Sequence, residues 1–241
     1  MLVPRGGEWG ERVSREARHR SLEPLVVPLI TDTDPEDPAA FATALAALAD
    51  GAYAWIAVTS ATAVRRVSER VPVLPAATRV AAVGSATAAA CAAAGWSVDL
   101  VPEEASGAAL AAAFPQTDGA VLFPSSQLSD LGLAAGLQRR GIDVHDVEAY
   151  RTEGTGRDRI ALDPPPDALL VTSGSVAAQV AVRMKPLDPR TRVVCIGSGT
   201  ARHADAFGLP VHAVAAAQTS ASMLDTVVGL LHPRIDTQPG R

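Results

Sequence analysis

Aromatic residues, lysine and cysteine are all scarce in this sequence. Aromatic side chains make up 4% of its 241 residues, which argues against a cofactor such as a flavin that is held by ring stacking. Lys185 is the only lysine, a bias of composition that says nothing about function. Cys91 and Cys195 have no Cys-x-x-Cys or histidine spacing, so we expect two buried free thiols in a reducing compartment.

Charge and hydrophobicity exclude further classes of protein. A net charge of −5 and a pI near 5.5 argue against a general nucleic-acid binder or a membrane-surface protein. Charges occur throughout residues 1–30, where a signal peptide would carry an apolar run, and we therefore expect a cytoplasmic protein. Residues 80–98 carry no charge, but their alanine, glycine, serine and threonine content favours a strand, a turn and a helix over a membrane span.

Nucleotide, metal and hydrolase motifs are also absent. Gly197-Ser198-Gly199 follows a predicted strand, but Arg202 occupies the place of the third glycine of a dinucleotide fingerprint. There is no Gly-Lys-Ser/Thr phosphate loop and no Gly-x-Ser-x-Gly elbow, and the five histidines lack metal-ligand spacing. An acidic cluster lies among prolines and favours a solvated linker over a metal site: Asp32, Asp34, Glu36 and Asp37. We therefore expect neither a cofactor nor a metal.

The chain repeats itself. Residues 58–108 match residues 171–221 without a gap at an offset of 113, and roughly a third of the positions are identical. A second, weaker match at an offset of 120 relates residues 2–27 to residues 122–147. Duplication of one structural unit explains both matches, so the chain is expected to contain two similar domains.

Each copy alternates predicted strands and helices. Apolar runs of four to six residues are typical of buried parallel strands, and each is followed by a turn and a helical stretch. The helices are predicted to end at Gly95, Gly141 and Gly208. The fold class is therefore α/β, with ten strands in two flavodoxin-like doubly wound parallel sheets. Residues 31–37 and 149–156 break the alternation at matching places and are predicted to be linkers.

Small polar residues follow the predicted strands, where open parallel sheets bind their ligands. Hydroxyl groups and free amides at helix N-termini suit carboxylates or phosphates. Helix capping is the alternative role for the same residues. The candidates are Ser60, Ser85, Thr87, Ser125, Ser173, Ser175, Ser198 and Thr200.

Tyr150 is the second of only two tyrosines. It is predicted to stand at the end of a strand, entering the second linker just before Arg151. A phenol at a hinge can donate a hydrogen bond or a proton to a ligand held between domains. An ordinary interface tyrosine is the alternative.

The sequence resembles the uroporphyrinogen-III synthase family. The residues that carry the resemblance are 3–6 (VPRG), 58–64 (VTSATAV), 83–88 (VGSATA), 101–106 (VPEEAS), 141–144 (GIDV), 150–152 (YRT), 196–201 (IGSGTA) and 209–211 (LPV). Their order and spacing are specific, and together they span the chain from Leu2 to about Leu231. Ser21 stands where a helix-closing glycine is usual, and the tail from His232 has no counterpart in the family.

The resemblance implies an interleaved domain layout. Residues 1–30 with 157–241 would form one domain and residues 38–148 the other, and the two linkers would run side by side as a two-stranded connection. It also implies a reaction without a cofactor, the closure of linear hydroxymethylbilane to uroporphyrinogen III in the biosynthesis of tetrapyrroles such as heme, siroheme and cobalamin. The last pyrrole ring is inverted through a spiro-pyrrolenine intermediate.

The resemblance implies roles for individual residues as well. Tyr150 would assist loss of the terminal hydroxyl group of the substrate. Ser60, Thr87, Ser173 and Thr200 match positions that face a cleft between the domains. Arg5 is implied as a partner for one of the eight carboxylates of the substrate.

The expected partners are few. The resemblance implies hydroxymethylbilane as the small-molecule ligand, handed over by hydroxymethylbilane synthase. We expect a monomer that binds neither nucleic acid nor membrane.

Two other functions remain open. A two-lobed protein that binds small anions would share the architecture, but it would usually carry a signal peptide. An inactive or regulatory paralogue would share the motifs, and the short tail after Leu231 leads us to expect no fused DNA-binding module.

Overall fold

The computed structural model describes residues 1–129 and 132–232, in which helices and strands alternate along the chain. The first half contains β1 (Leu2–Val3), α1 (Gly7–Arg18), β2 (Leu25–Val26), β3 (Ile30–Thr33), α2 (Pro38–Ala49), β4 (Trp55–Val58), α3 (Ala61–Ser68), β5 (Arg79–Ala82), α4 (Ser85–Ala93) and α5 (Gly107–Ala113). The second half contains β6 (Val121–Ser126), α6 (Gly132–Arg139), β7 (Val144–Gly154), β8 (Ala168–Val171), α7 (Gly174–Arg183), β9 (Arg192–Cys195), α8 (Ser198–Ala206), β10 (Ala213–Val214) and α9 (Ser220–Leu231).

These elements form two compact units. Unit 1 comprises Met1–Thr31 and the chain from Glu153 onward, and unit 2 comprises Asp32–Thr152. Residues 233–241, which fall within the first predicted domain, lie outside the described residues. The predicted domain limits stay a prediction, and each unit is described by itself below.

Unit 1 is built on a parallel sheet with the strand order β10-β9-β8-β1-β2. Its central strands are buried on both faces, because helices cover both. Along β8, alternate residues enter different cores: Leu169 and Val171 pack with α7, whereas Ala168 and Leu170 pack with α1 and α9. This alternation explains why the strands appear in the sequence as unbroken apolar runs.

Unit 2 is built on a second sheet with the order β3-β7-β6-β4-β5. The pairs β4–β5, β4–β6 and β6–β7 are parallel. Beyond β5, an isolated parallel bridge joins Ala81 to Leu100. Leu100 corresponds at the 113-residue offset to Ala213 in β10, so the fifth strand of the first sheet is reduced here to a single bridge. The edge strand β3 restores the count to five.

The sequence repeat is confirmed in hydrogen bonds as well as in strands. At the 113-residue offset β4 corresponds to β8, and α4 to α8, residue for residue. The Thr78 hydroxyl donates to the carbonyl of Tyr53 at 2.9 Å, and the Thr191 hydroxyl donates to the carbonyl of Pro166 at 2.7 Å. These partners are again 113 residues apart, so both copies join the start of two neighbouring strands in the same way.

The α/β fold class is confirmed, and several local predictions are confirmed with it. Residues 80–98 contain strand β5 and helix α4, and no helix in the described ranges is long and apolar enough to cross a membrane. Gly95, Gly141 and Gly208 follow helices with φ of +81°, +77° and +67°, the left-handed conformation that glycine adopts without strain. The predicted linkers prove to be largely extended, because β3 and the end of β7 occupy parts of them.

Candidate active site

The candidate residues gather at the carboxyl ends of the strands within each unit. In unit 2 the neighbouring strands β4 and β6 have connections that leave in opposite directions, and β8 and β1 do the same in unit 1. Such switch points open a crevice outside the strand ends, where doubly wound sheets bind ligands. Ser60 and Ser125 lie at this point in unit 2, and Ser173 and Arg5 lie at it in unit 1.

Tyr150 and Ser60 are joined directly by a hydrogen bond. The Tyr150 hydroxyl donates to Ser60 Oγ at 3.0 Å. Ser60 is the N-cap of α3, and its Oγ also accepts the backbone N–H of Ala63 at 3.0 Å. Tyr150 is 8% exposed, and its ring packs in the core between the sheet and helices α2 and α3. The phenol is therefore fixed at both ends, by packing of the ring and by its bond to the serine.

A β-bulge brings Tyr150 to this position. Ser125 pairs with Glu148, but Ser126 pairs with Tyr150, so Ala149 is an extra residue in β7. Ala149 and Tyr150 consequently both enter the same core, which a regular strand would not allow. The predicted place of Tyr150 at the end of a strand is wrong, because β7 continues to Gly154.

Ser125 and Asp146 form a second pair at the same edge. Ser125 is 7% exposed, and its hydroxyl donates to Asp146 Oδ1 at 2.7 Å. Its proton is thus held by a carboxylate of the neighbouring strand β7. Direct binding of an anionic ligand by Ser125 would require that proton to change partner, and its proposed role stays a prediction.

The loop between β5 and α4 carries two further candidates of unit 2. Gly84 precedes α4, Ser85 is exposed in its first turn, and Thr87 is buried. A methyl group added at Gly84 would come within 2.9 Å of the Ala105 Cβ, so this glycine is required by close packing of the next loop. The close approach leaves the first amides of α4 uncovered by a side-chain cap.

The corresponding loop of unit 1 is built in the same way. Gly197 precedes α8, with Ser198 exposed and Thr200 partly exposed in the first turn. A methyl group at Gly197 would meet the flexible side chain of Gln218 at 3.2 Å. Gln218 corresponds to Ala105 at the 113-residue offset. The contact with the glycine is looser in this copy, because the glutamine side chain lies farther away and can move.

Ser173 and Ser175 follow β8 in unit 1. Ser173 is the N-cap of α7, and its Oγ accepts the backbone N–H of Val176 at 3.2 Å. Ser175 lies in the first turn and is partly exposed. The neighbouring Thr172 Oγ1 is buried and has no hydrogen-bond partner within residues 1–129 and 132–232. Its unused donor and acceptor sites lie at the strand end where a ligand is expected.

Arg5 follows β1 at the switch point of unit 1. Its guanidinium lies over the ring of Trp9, 5.7 Å from the ring centre. The first helix packs tightly beside it, because a methyl group at Gly10 would come within 2.3 Å of the Arg5 carbonyl oxygen. This contact fixes the backbone from which the Arg5 side chain extends.

The acidic residues that were predicted to form a solvated linker all have protein partners. Asp37 caps α2 by accepting the N–H groups of residues 39 and 40, and Asp34 pairs with Arg66 at 2.9 Å. Glu36 pairs with Arg151, and Asp32 accepts the Thr62 hydroxyl at 3.2 Å. Asp34 and Glu36 thus pair with Arg66 and Arg151, and both carboxylates remain largely exposed to solvent.

Both cysteines are buried and free, as predicted. Burial raises the pKa of the Cys91 thiol and of the Cys195 thiol from the ordinary value of 9.0 to about 11. Neutral, inaccessible thiols do not act as nucleophiles. The cysteines therefore belong to the two cores and not to the candidate site.

Tyr150 and Ser60 are the predicted site residues that the structure brings into contact. Sequence reasoning missed Asp146 as the partner of Ser125, and it missed Gln127, whose side-chain amide donates to the Thr152 carbonyl and accepts its N–H, both at 3.0 Å. No sequence pattern marks these pairs, because they depend on the pairing register of β6 and β7.

A separate cavity of about 390 Å3 lies in unit 1 before the start of β8 and β9. Its walls combine apolar side chains, among them Leu162, Leu169 and Met184, with the charged residues Arg159 and Asp188. The amino ends of the strands carry none of the candidate residues. This cavity is therefore distinct from the candidate site.

Comparison with known proteins identifies what the chain is similar to. A family model described as uroporphyrinogen-III synthase HemD matches residues 11–225. No curated protein sequence matches the chain.

The fold is also similar to that of solved structures. The crystal structure of a mutant uroporphyrinogen III synthase from the extremely thermophilic bacterium Thermus thermophilus is similar, with 21% identity, a TM-score of 0.65, and coverage of 95% of this chain and 98% of that one. The structure of uroporphyrinogen-III synthetase from Helicobacter pylori has 16% identity, a TM-score of 0.62, and coverage of 87% and 93%. At these identities the structures establish the fold.

Proposed function

The chain belongs to the uroporphyrinogen-III synthase HemD family of tetrapyrrole biosynthesis, and on this basis we propose that it converts hydroxymethylbilane to uroporphyrinogen III. The observation that carries the proposal is the family match over residues 11–225. The hydrogen bond from Tyr150 to Ser60 supports the proposal, because two linked hydroxyl groups beside the end of a parallel strand are suited to passing a proton to a bound ligand.

The proposed reaction begins with loss of the terminal hydroxyl of the bilane as water. The carbon–oxygen bond breaks, and the leaving oxygen takes a proton from the protein and departs as water. The cation that remains becomes an azafulvene when its pyrrole N–H gives up a proton. Ring D then attacks through its substituted carbon to give a spiro-pyrrolenine, which reopens and recloses with ring D inverted. Because spontaneous closure gives the symmetric isomer I, the protein must also hold the chain in the shape that forms the spiro intermediate.

The eight carboxylates of the substrate need many weak donors. The serines and threonines at the strand ends and the first amides of α3, α4, α7 and α8 supply them. With a net charge of −5, long-range attraction does not favour a polyanion. Binding therefore depends on local hydrogen bonds, with Arg5 as a cationic partner for one carboxylate.

The remaining expectations belong to the same proposal. The substrate is unstable in water, so delivery by hydroxymethylbilane synthase would limit its spontaneous closure. We propose that the protein works as a monomer in the cytoplasm, where the thiols of Cys91 and Cys195 would stay reduced.

The test supplies hydroxymethylbilane, made freshly by its synthase, to the purified protein. The products are oxidised and their isomers separated by chromatography. The proposal predicts isomer III in excess of a reaction without the protein. A protein that only binds the bilane would slow its closure and yield isomer I. An inactive paralogue would yield isomer I at the rate of the reaction without protein.

A further inference from the structure

The Ser60 oxygen has no acceptor capacity left for a ligand. A hydroxyl oxygen has two lone pairs and one proton. One lone pair of Ser60 Oγ accepts the N–H of Ala63 and the other accepts the Tyr150 hydroxyl, each at 3.0 Å. The Ser60 proton is donated to no acceptor within residues 1–129 and 132–232, and the side chain is partly exposed. Ser60 can therefore only donate to a ligand at this edge.

Tyr150 is placed differently. Its single hydroxyl proton is already donated to Ser60, and its ring is buried. To protonate a ligand directly, the phenol would have to leave Ser60 while its ring stayed packed in the core. A proton from Tyr150 reaches the ligand with less rearrangement if it passes through Ser60.

The same arrangement is missing from the other copy of the repeat. Ser173 corresponds to Ser60 and caps α7 in the same way, at 3.2 Å from the N–H of Val176. The residue that corresponds to Tyr150 at the 120-residue offset is Ile30, which is buried in the core of unit 1. Helix capping by the serine therefore does not require a neighbouring tyrosine. The tyrosine is present in only one of the two copies, which indicates a role beyond capping.

We propose that Ser60 is the residue that protonates the departing hydroxyl group, with Tyr150 as the source that resupplies its proton. The inference rests on the proposed function. As the carbon–oxygen bond of the bilane breaks, its electron pair stays on the leaving oxygen. That oxygen takes the Ser60 proton and departs as water, and Ser60 Oγ takes the Tyr150 proton. Solvent returns a proton to the phenolate after the product leaves.

The relay differs from a site in which the two residues act separately. If Tyr150 protonated the substrate directly and Ser60 held a carboxylate, Ser60→Ala would chiefly raise KM, and the two losses would multiply in the double variant. In a relay, either substitution interrupts the same proton path. Residues that act as one unit give strongly non-additive effects.

The experiment measures initial rates of isomer III formation from fresh hydroxymethylbilane for Ser60→Ala, Tyr150→Phe and the double variant. We expect each single variant to lower kcat about tenfold or more with little change in KM. The double variant should lose less than about twofold beyond either single variant. Ser60→Thr keeps both the hydroxyl and the cap, and it should retain most of the activity.

Two further variants separate chemistry from structure. Ser106→Ala removes the N-cap of α5, a bond of 3.1 Å to the Ala109 N–H, and it should leave kcat unchanged. Ser60→Gly loses the hydroxyl but keeps an acceptable N-cap, so it should lose kcat even if Ser60→Ala folds poorly.

Three results would overturn the relay: a raised KM with normal kcat in Ser60→Ala, multiplied losses in the double variant, or full activity in Ser60→Gly. If the unchanged protein yields only isomer I, the proposed function itself is wrong and the relay fails with it. The two failures are distinguishable, because the three results that would overturn the relay can be obtained only if the unchanged protein makes isomer III.

Discussion

Replacing Ser21 by glycine should make unit 1 more stable. Ser21 follows α1 with φ of +58°, the left-handed conformation in which an L side chain is strained. Its side chain is exposed and makes no hydrogen bond in the part of the chain that the structure describes. The serine therefore bears a conformational cost with no visible compensation.

The size of the effect follows from a matched helix end. Leu22 N–H donates to the Ala17 carbonyl at 3.1 Å, and Ile142 N–H donates to the Leu137 carbonyl at 3.1 Å, in the same C-terminal motif 120 residues later. Gly141 occupies the place of Ser21. A Cβ in the left-handed backbone destabilises the folded state by roughly 1–2 kcal/mol. Glycine also makes the unfolded chain more flexible, which offsets about 0.4–1 kcal/mol of the gain in stability. A net gain of about 0.5–1 kcal/mol is expected.

Urea and thermal unfolding, followed by circular dichroism, measure the change. Ser21→Gly should raise Tm by about 2–3 °C. Gly141→Ser is the reverse control and should lower it by a similar amount, since a Cβ at Gly141 meets nothing within 4 Å. An unchanged or lower stability in Ser21→Gly, with the expected loss in Gly141→Ser, would refute the conformational argument.

Three further predictions concern close packing, the thiols and the phenol. Gly84→Ala should lower the free energy of unfolding by about 1–2 kcal/mol, because the added methyl group would clash with Ala105. Gly197→Ala should lower it by less, because the flexible Gln218 side chain can move away. Equal urea midpoints for the two variants would contradict this. The free energy of unfolding should fall as the pH rises from 9 toward 11. Burial raises the pKa of Cys91 and Cys195, so in this range the unfolded chain releases thiol protons that the folded chain retains. A variant with alanine at both positions should lose this part of the pH dependence. Tyr150→Phe should lower kcat about tenfold or more without unfolding the protein, and unchanged kinetics would remove its catalytic role.

The fold could be predicted largely because the chain repeats itself. The 113-residue offset pairs a strand and the following helix in one copy with their equivalents in the other, so each weak local signal was seen twice. Where the copies diverge, prediction was poorer. The fifth strand near Leu100 is reduced to one bridge, and the polar segment around Asp32 pairs as an edge strand despite its turn-like composition.

The candidate site could be predicted as a set of residues but not as contacts. Ser60 and Tyr150 were both found, because hydroxyls after strands and rare tyrosines are visible in the sequence. Their bond was not predicted, since it depends on the extra residue Ala149 in β7, and no composition signal marks a bulge. The pair of Ser125 with Asp146 was missed for the same reason, because strand register sets it.

The isomer ratio as a function of protein concentration distinguishes catalysed closure from spontaneous closure. Spontaneous closure to isomer I competes with the catalysed route at a fixed rate, so each increase in protein should divert more hydroxymethylbilane. If the protein is a uroporphyrinogen-III synthase, the fraction of isomer III rises with protein concentration until isomer I is nearly eliminated. Isomer I alone at every protein concentration would contradict it.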